Sequence, residues 1–200
     1  NLAGYARDPG ALALNARMLQ RLSRRGVQAV WQLRSFASNG SVSALKMAAD
    51  GQTALSASGK FLYLWELSSG PCVRGFTGHT DQVTAVALSR ETALSASLDG
   101  TVRLWSLASG ECLEVYRLND PIARLGVSIS GLFLASSADK LILARVARPD
   151  PLHTVPLSGP VCVAVSRDGR LAVTGSEEAD SLRLWRLPAT TFSSPWRAPR

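Results

Sequence analysis

Short apolar segments of about six residues, each bounded by turn residues, follow one another through most of the chain. The clearest series predicts four strands: Val83–Leu88, Thr92–Ser97, Thr101–Leu107 and Glu111–Tyr116. Turn residues separate these strands, as in the Asp-Gly pair at 99–100. Polar and apolar residues do not alternate strictly within the strands. This predicts that both faces of each sheet are covered.

The pattern repeats every 40 residues, since Trp65 and Trp105 are 40 apart and Trp185 follows after a further 80. Cys72 and Cys112 keep the same spacing. Self-similarity at about 40–45 residues is typical of β-propellers, whose blades are four-stranded sheets. We therefore predict an all-β fold: a β-propeller of about four blades, with a short N-terminal helix.

Three regions are expected along the chain: an N-terminal helical segment or linker at 1–26, the propeller blades at 27–187, and a flexible proline-rich tail at 188–200. Asp8 can cap a helix that ends at Gly26, with leucines along one face and arginines towards its C-terminal end. Such a helix is either a connector that packs on the propeller or a basic amphipathic element for a membrane surface or partner groove.

Residues 27–187 resemble the WD-repeat family, most closely in Gly-His-Thr-Asp at 78–81 and in the segment 95–105, which ends in Val-Arg-Leu-Trp. Members of that family hold each blade together with a buried hydrogen-bonded chain of four side chains. The resemblance implies such a structural tetrad here, formed by His79, Ser95, Asp99 and Trp105. Because a buried imidazole and a buried indole N–H both need partners, a structural role is expected for His79 rather than a catalytic one.

The other blades depart from this pattern. The blade that ends at Trp65 has Ser-Gly-Lys at 58–60, with no aspartate in the turn. In the blade covering 123–156, either Ala144 or Arg145 takes the tryptophan position. The last blade has one extra residue in its turn, so Asp180 is not expected to reach a tetrad. One blade is therefore predicted to carry the complete network.

The strand count leaves the closure of the ring open. Residues 28–36 align with an outermost strand, and the last blade lacks that strand because prolines follow Leu187. The chain is either an incomplete propeller from a longer protein, a closed ring of four blades, or half of a ring completed by a second chain. Open blade edges would favour such self-association.

The charge and the cysteine content indicate the class of partner and the cellular compartment, but no catalytic chemistry. The chain has 22 basic and 15 acidic residues, a net charge of +7, which permits nucleic acid as a partner but predicts a solvated basic surface first. Three well-spaced cysteines, Cys72, Cys112 and Cys162, predict buried free thiols in a reducing compartment. No apolar run approaches the roughly 18 residues of a membrane span, and no secretory signal is recognisable. An intracellular protein is expected, in the cytoplasm rather than the nucleus.

Catalytic constellations are not recognisable in the sequence. The two histidines are far apart, with His153 expected in a loop, and no His/Cys cluster has metal-ligand spacing. The segment from Gly126 to Gly131 misses the spacing of a nucleophile elbow by one residue. We therefore expect no enzyme activity, no metal site and no cofactor.

The remaining candidate is a binding surface. Loops from an outer strand to the next inner strand, and turns between second and third strands, gather at one face of a propeller, and the family resemblance implies that this face binds partner peptides. Its candidate residues are Lys60, Asp81, Gln82, Arg117, Asp120, Lys140, Glu177 and Glu178. The predicted function is a non-catalytic scaffold for protein–protein interaction, possibly the C-terminal platform of a larger protein. A substrate receptor of a ubiquitin ligase and an RNA-associated assembly factor are the alternatives.

Overall fold

The structure, a computed structural model, describes residues 35–36, 40–70, 72–146, 148–157, 161–176 and 181–188. Nearly all of them belong to the unit formed by Ser38–Arg200. The expected helix at 8–25 and the tail beyond residue 188 lie outside the described residues, as does most of the strand expected at 28–36.

Fifteen strands in four antiparallel sheets make up the described part of the chain, in which no helix occurs. Each sheet is a blade whose strands follow the chain order from the inner to the outer edge. Blade 1 contains β1 (Val42–Met47), β2 (Thr53–Ser58), β3 (Phe61–Glu66) and β4 (Cys72–Phe76). Blade 2 contains β5 (Val83–Leu88), β6 (Thr92–Ser97), β7 (Thr101–Ser106) and β8 (Cys112–Arg117). Blade 3 contains β9 (Arg124–Val127), β10 (Leu132–Ser136), β11 (Lys140–Arg145) and β12 (Arg148–Pro156). Blade 4 contains β13 (Val161–Val165), β14 (Leu171–Ser176) and β15 (Ser181–Arg186). The predicted all-β propeller fold is confirmed.

Every blade has two faces with different roles. The Trp face carries the blade tryptophan on the third strand, such as Trp105, together with the residue paired to it, Ala93. The Leu face carries the neighbouring pair, Leu94 and Leu104 in blade 2. Successive strand residues point to opposite faces, so the period-2 register fixes which residues belong to each face.

The core lies between blades, not within one. The Leu face of blade 1 packs on the Trp face of blade 2, where Leu55 and Leu64 meet Trp105. The same arrangement joins blade 2 to blade 3 and blade 3 to blade 4. Each fully buried leucine contributes roughly 1.5–3 kcal/mol relative to an exposed one. Small residues in the second strands of blades 1 and 2, such as Ala57 and Ala96, allow the sheets to approach closely.

Hydrogen bonds also join neighbouring blades near the inner strands. The Ser43 hydroxyl donates to the carbonyl of Val83 at 2.6 Å, where blade 2 begins. The Thr84 hydroxyl donates in the same way to the carbonyl of Ile122 at 2.6 Å, just before blade 3. Both donors lie where the inner strand is bulged against the second strand, which leaves the side chain free to reach the next blade.

Blade 3 replaces the tryptophan with a different apolar pair. Phe133 pairs with Ala144 in the register where blade 2 pairs Ala93 with Trp105. Ala144, and not Arg145, therefore holds the tryptophan position. The large ring has moved to the adjacent strand, where Phe133 packs edge-on against Tyr116 with centroids 5.2 Å apart.

Two expectations about individual residues were wrong. His153 lies in strand β12 and is exposed, not in a loop. Outermost strands have a free edge, and this is where prolines such as Pro151 are tolerated within a sheet. The three cysteines are free, as expected, but exposed instead of buried. Cys72 and Cys112 are the first residues of outermost strands, where they pair with Trp65 and Trp105 of the third strands.

Within the described residues, no helix is long and apolar enough to cross a membrane.

Candidate protein-binding face

The four side chains of the predicted tetrad are connected in blade 2. Trp105 Nε1 donates to Ser95 Oγ at 2.8 Å, and Ser95 Oγ lies 2.7 Å from His79 Nε2. His79 Nδ1 lies 2.8 Å from Asp99 Oδ2. Ser95 and Trp105 are on paired strands, whereas His79 comes from the loop before β5 and Asp99 from the β6–β7 turn. The chain of contacts therefore fastens a loop and a turn at one end of the blade to its buried centre.

The hydrogen-bond geometry fits one set of protonation states. Trp105 can only donate, so the Ser95 hydroxyl accepts from it and can donate its own O–H to His79 Nε2. His79 Nδ1–H then donates to the Asp99 carboxylate. In this set the imidazole is neutral and the carboxylate is ionised.

The electrostatic surroundings favour the same states. Burial lowers the pKa of His79 below its usual 6.5, outweighing the Asp99 contact that raises it, and the nearby Arg103 lowers it further. Burial alone would raise the pKa of Asp99, but hydrogen bonds from Thr101 and His79, then from the Thr80 backbone N–H, lower it to about 2. Asp99 is therefore ionised and His79 neutral at neutral pH.

Gly78 lets the loop approach the network. Its φ is +151°, and a Cβ there would lie 2.7 Å from Arg103 Nη1 and 3.1 Å from the Trp105 ring. The glycine of the Gly-His pair is thus needed for close approach of the backbone to two side chains. The Gly-His dipeptide was recognisable in the sequence, but the contact of Gly78 with Arg103 and Trp105 was not.

The blade tryptophans Trp65 and Trp185 also donate to a hydroxyl on the second strand. Trp65 Nε1 donates to Ser56 Oγ at 2.8 Å. Trp185 Nε1 donates to Thr174 Oγ1 at 2.9 Å. Asp180 lies outside the described residues. A hydroxyl that accepts from the indole is thus shared by three blades. In blade 3 Ala135 takes the place of this hydroxyl residue, and Ala144 has no side-chain N–H that would need an acceptor.

Six of the candidate binding residues lie at the ends of the sheets where the His79 loop lies. Lys60 is in the β2–β3 turn, Asp81 and Gln82 are in the loop before β5, and Arg117 ends β8. Asp120 follows in the loop before β9, and Lys140 begins β11. The antiparallel meander brings the second–third turn of a blade and the loop to the next blade to the same end. Glu177 and Glu178 lie outside the described residues.

Backbone hydrogen bonds hold the loops of this face in place. Val83 N–H donates to the carbonyl of Gly59 at 2.8 Å, from blade 2 to the turn of blade 1. Leu98 N–H donates to the carbonyl of Gln82 at 3.0 Å, and the Ser97 hydroxyl to that of Asp81 at 3.0 Å. Loops tied to rigid sheets in this way present side chains in fixed positions.

The candidate residues differ in how freely they can contact a partner. Asp120 and Lys140 form an ion pair, whose hydrogen bond raises the pKa of Lys140. Lys60, Gln82 and Arg117 are exposed. The exposed cationic and amide groups among these residues are therefore on the blade 1 and blade 2 part of the face.

Leu98 is a member of this face that the sequence reasoning missed. It lies in the β6–β7 turn beside Asp99 and is an exposed large apolar residue. A leucine placed in a turn rich in polar and glycine residues is the signal that could have found it. Within the described residues, no group of three or more His, Cys, Asp or Glu side chains lies close enough together to hold a metal.

Comparisons with known proteins show which sequences this chain resembles. The family model described as WD domain, G-beta repeat matches residues 70–106, the segment that includes the tetrad. THO complex subunit 6 of Arabidopsis thaliana is 28% identical over 146 residues, covering 68% of this chain and 39% of that protein. Mitochondrial division protein 1 of Saccharomyces cerevisiae is 34% identical over 117 residues, covering 58% of this chain and 14% of that protein. Pre-mRNA-processing factor 19 of Bos taurus is 29% identical over 141 residues, covering 66% of this chain and 28% of that protein. The chain thus spans well under half the length of each of these relatives.

Proposed function

Because this chain belongs to the WD-repeat family of β-propeller proteins, we propose that it is a non-catalytic platform that binds other proteins through the loop-bearing face. The observation that carries the proposal is the fixed geometry of that face. Its loops are fastened by the buried tetrad and by backbone hydrogen bonds, so a partner would meet a preformed surface.

The chemistry of the face favours a peptide of mixed character. Lys60 and Arg117 supply positive charge, Gln82 supplies amide hydrogen bonds, and Leu98 supplies an apolar contact. A partner segment with acidic residues around an apolar side chain would match all three. Such pairing gives specificity and association rate through charge, and affinity through the apolar anchor.

An RNA-associated assembly role is the second candidate. Two of the relatives are named a THO complex subunit and a pre-mRNA-processing factor, and this chain carries a net charge of +7. Binding through phosphate contacts would fall steeply with salt. A receptor role in a ubiquitin ligase stays a prediction. A cytoplasmic location stays one as well, since the relatives' names include a mitochondrial division protein and a pre-mRNA-processing factor.

Affinity capture with matched variants tests the proposal. The tagged chain is incubated with cell extract at low and high salt, with and without nuclease, and bound proteins are identified by mass spectrometry. The face variant carries Lys60→Glu, Leu98→Ala and Arg117→Glu. The control variant carries Arg90→Glu and Arg167→Glu, which change the net charge by the same amount at exposed arginines in turns at the opposite ends of the strands.

The platform proposal expects a set of protein partners that resists nuclease and high salt, is lost with the face variant and is kept with the control variant. Equal loss with both variants, or no loss with either, would contradict the assignment of this face. Ribonucleoprotein that disappears with nuclease and high salt would replace the platform by the RNA-associated role.

A further inference from the structure

Arg103 is a half-buried cation at the junction between blades 1 and 2. It lies on β7, two residues before Trp105, so it shares the Trp face of blade 2 with that ring. Its guanidinium carbon is 6.0 Å from the centroid of the Trp105 ring, in a cation–π contact. A Cβ at Gly78 would come within 2.7 Å of Arg103 Nη1, so the guanidinium reaches the loop that leads into blade 2. The charge is therefore close to the loop-bearing face.

No carboxylate in the described part of the chain pairs with this guanidinium. Arg103 Nε is buried and has no hydrogen-bond partner among the described residues. The ion pairs formed in that part of the chain involve His79, Lys140 and Arg170 as the basic groups. Taking a cationic group partly out of water without an anionic partner is unfavourable. An anion bound beside Arg103 would remove this penalty.

Arg117 is a second cation on the same face of the blade. In the ladder between β7 and β8, Thr101 pairs with Arg117. Thr101 and Arg103 are two residues apart on β7, so all three side chains belong to the Trp face. Arg117 is thus the diagonal neighbour of Arg103, at a Cα separation of roughly 7–8 Å that long side chains bridge easily. Arg117 is exposed, so the two guanidinium groups can converge on one ligand.

Two adjacent guanidinium groups match a dianion better than a monoanion. Each guanidinium presents a planar fork of N–H donors that fits the oxygens of a phosphate group. A phosphomonoester carries close to two negative charges at neutral pH and offers three strong acceptor oxygens. A carboxylate or a phosphodiester carries one charge. A single phosphomonoester would therefore compensate both arginines, whereas a monoanion would leave one of them unpaired.

The acidic side chains outside the described part of the chain do not suit this position. Residues 1–34 contain six arginines and one aspartate, so the segment as a whole is repelled by a cationic site. Glu177, Glu178 and Asp180 connect β14 to β15 of blade 4, and blade 3 packs between blade 4 and blade 2. The anion is therefore to be sought outside these 200 residues.

From these observations we propose that Arg103 and Arg117 form a phosphate-binding site at the outer rim of the loop-bearing face, and that this site receives a phosphorylated serine or threonine of a partner protein. The inference rests on the proposed platform function, because it names the chemistry of the partner that the face binds. Leu98, exposed in the turn before β7, would contact an apolar residue of the same partner segment. Because Arg103 is half-buried, salt screens its contact with the phosphate less than it screens a surface ion pair.

Titration of the isotope-labelled chain with N-acetyl-phosphothreonine amide tests the site directly. The arginine Nε–Hε resonances are followed by nuclear magnetic resonance at about pH 7 and constant ionic strength. The resonances of Arg103 and Arg117 are assigned by their loss when each residue is replaced. Both should shift together, with half-saturation at about 1–10 mM, the strength of a few charge-assisted hydrogen bonds in water.

Monoanionic probes decide which anion the site takes. Acetate and dimethyl phosphate at the same concentrations should give much smaller shifts, because each carries one negative charge. Equal shifts with dimethyl phosphate would overturn the proposal in favour of a phosphodiester such as RNA, and equal shifts with acetate would overturn it in favour of a carboxylate. The absence of any shift with the phosphothreonine amide would overturn it outright.

Three variants separate binding from net charge and from folding. Arg117→Gln removes an exposed group and should raise the half-saturating concentration about 10-fold, as read from the Arg103 resonance. Arg103→Lys keeps the charge but loses the planar fork, and should raise it about 5-fold, as read from the Arg117 resonance. Arg124→Gln is the matched control, because it removes one exposed positive charge on β9 of blade 3. If this control weakened binding as much as Arg117→Gln, net charge alone would explain the shifts and the proposal would fail.

Affinity capture after phosphatase treatment of the cell extract separates this inference from the platform itself. Partners that are lost after the treatment and with Arg103→Lys, but kept with Arg124→Gln, would support the phosphate site. Partners that are kept after the treatment would overturn the phosphate site and leave the platform standing. If no partner were captured even from untreated extract, the platform would fail, and the titration would still show whether the two arginines bind a phosphomonoester.

Discussion

Replacing Ser95 by alanine is the most direct test of the buried tetrad. The Ser95 hydroxyl is completely buried and stands between the indole of Trp105, at 2.8 Å, and the imidazole of His79, at 2.7 Å. Alanine removes the oxygen with almost no change in volume. The substitution therefore isolates the hydrogen bonds from the packing.

The expected cost follows from what is left behind. Trp105 and His79 are 1% and 4% exposed, so neither the indole N–H nor His79 Nε2 can be satisfied by bulk water. A buried polar group without a partner costs about 1–3 kcal/mol. Two such groups in one network do not add fully, so we expect Ser95→Ala to lower the free energy of unfolding by roughly 2–4 kcal/mol.

Ser56→Ala provides a matched control in blade 1. Ser56 is also buried, and it accepts one hydrogen bond, from Trp65 Nε1 at 2.8 Å. Ser56→Ala removes one hydrogen bond where Ser95→Ala removes two, and Trp65 is less buried than Trp105, so the expected cost is about 1 kcal/mol.

Urea unfolding followed by far-ultraviolet circular dichroism measures both variants, with the slope against urea checked for constancy. Adding Trp105→Phe completes a double-mutant cycle with Ser95→Ala, and the two changes should be coupled by about 1 kcal/mol or more. If Ser95→Ala cost no more than Ser56→Ala, the four side chains would not act as a network, and the reasoning would be refuted.

Two further predictions concern the same blade. Folding lowers the pKa of His79 below 6.5, so as the pH falls the unfolded chain takes up this proton before the folded protein does. The free energy of unfolding therefore has its full value above about pH 6.5 and falls as the pH drops below it. The midpoint of urea unfolding should fall between pH 7.5 and 5.5, and His79→Gln should make this fall smaller. If His79→Gln left the pH dependence unchanged, other titrating groups would be responsible for it. Gly78→Ala should destabilise by about 1–3 kcal/mol, because its Cβ would meet Arg103 and the rigid Trp105 ring. Gly59→Ala is the control, because Gly59 also has a positive φ, +55°, but has open space around it; it should cost about 1 kcal/mol in the same urea assay. If Gly78→Ala cost no more than Gly59→Ala, the contact of Gly78 with the two side chains would not matter for stability.

The repeat in the sequence was sufficient to predict the blades. The segments 83–88 and 92–97 became β5 and β6 with the same bounds, because each short apolar run is closed by turn residues that cannot continue a strand. The third and fourth strands differ at their ends by one residue. Local patterning determines such elements because the side-chain period and the turn chemistry are properties of neighbouring residues.

The candidate face was predictable in outline, because antiparallel hairpins bring alternate turns to the same end of every sheet. Its contacts were not predictable from spacing. The pairing of Asp120 with Lys140, and the exposure of Leu98, depend on where separate segments lie in space.

The amino-acid sequence by itself determined the repeat and the strands, which depend on spacing within one blade, whereas the residues of the tetrad were implied by the resemblance to the WD-repeat family. The tertiary structure decided which faces meet. Leu104 and Leu184 occupy equivalent positions in similar sequences, yet the first is fully buried and the second is largely exposed. Burial is a property of what lies opposite a side chain, and no local pattern records the presence or absence of the next blade.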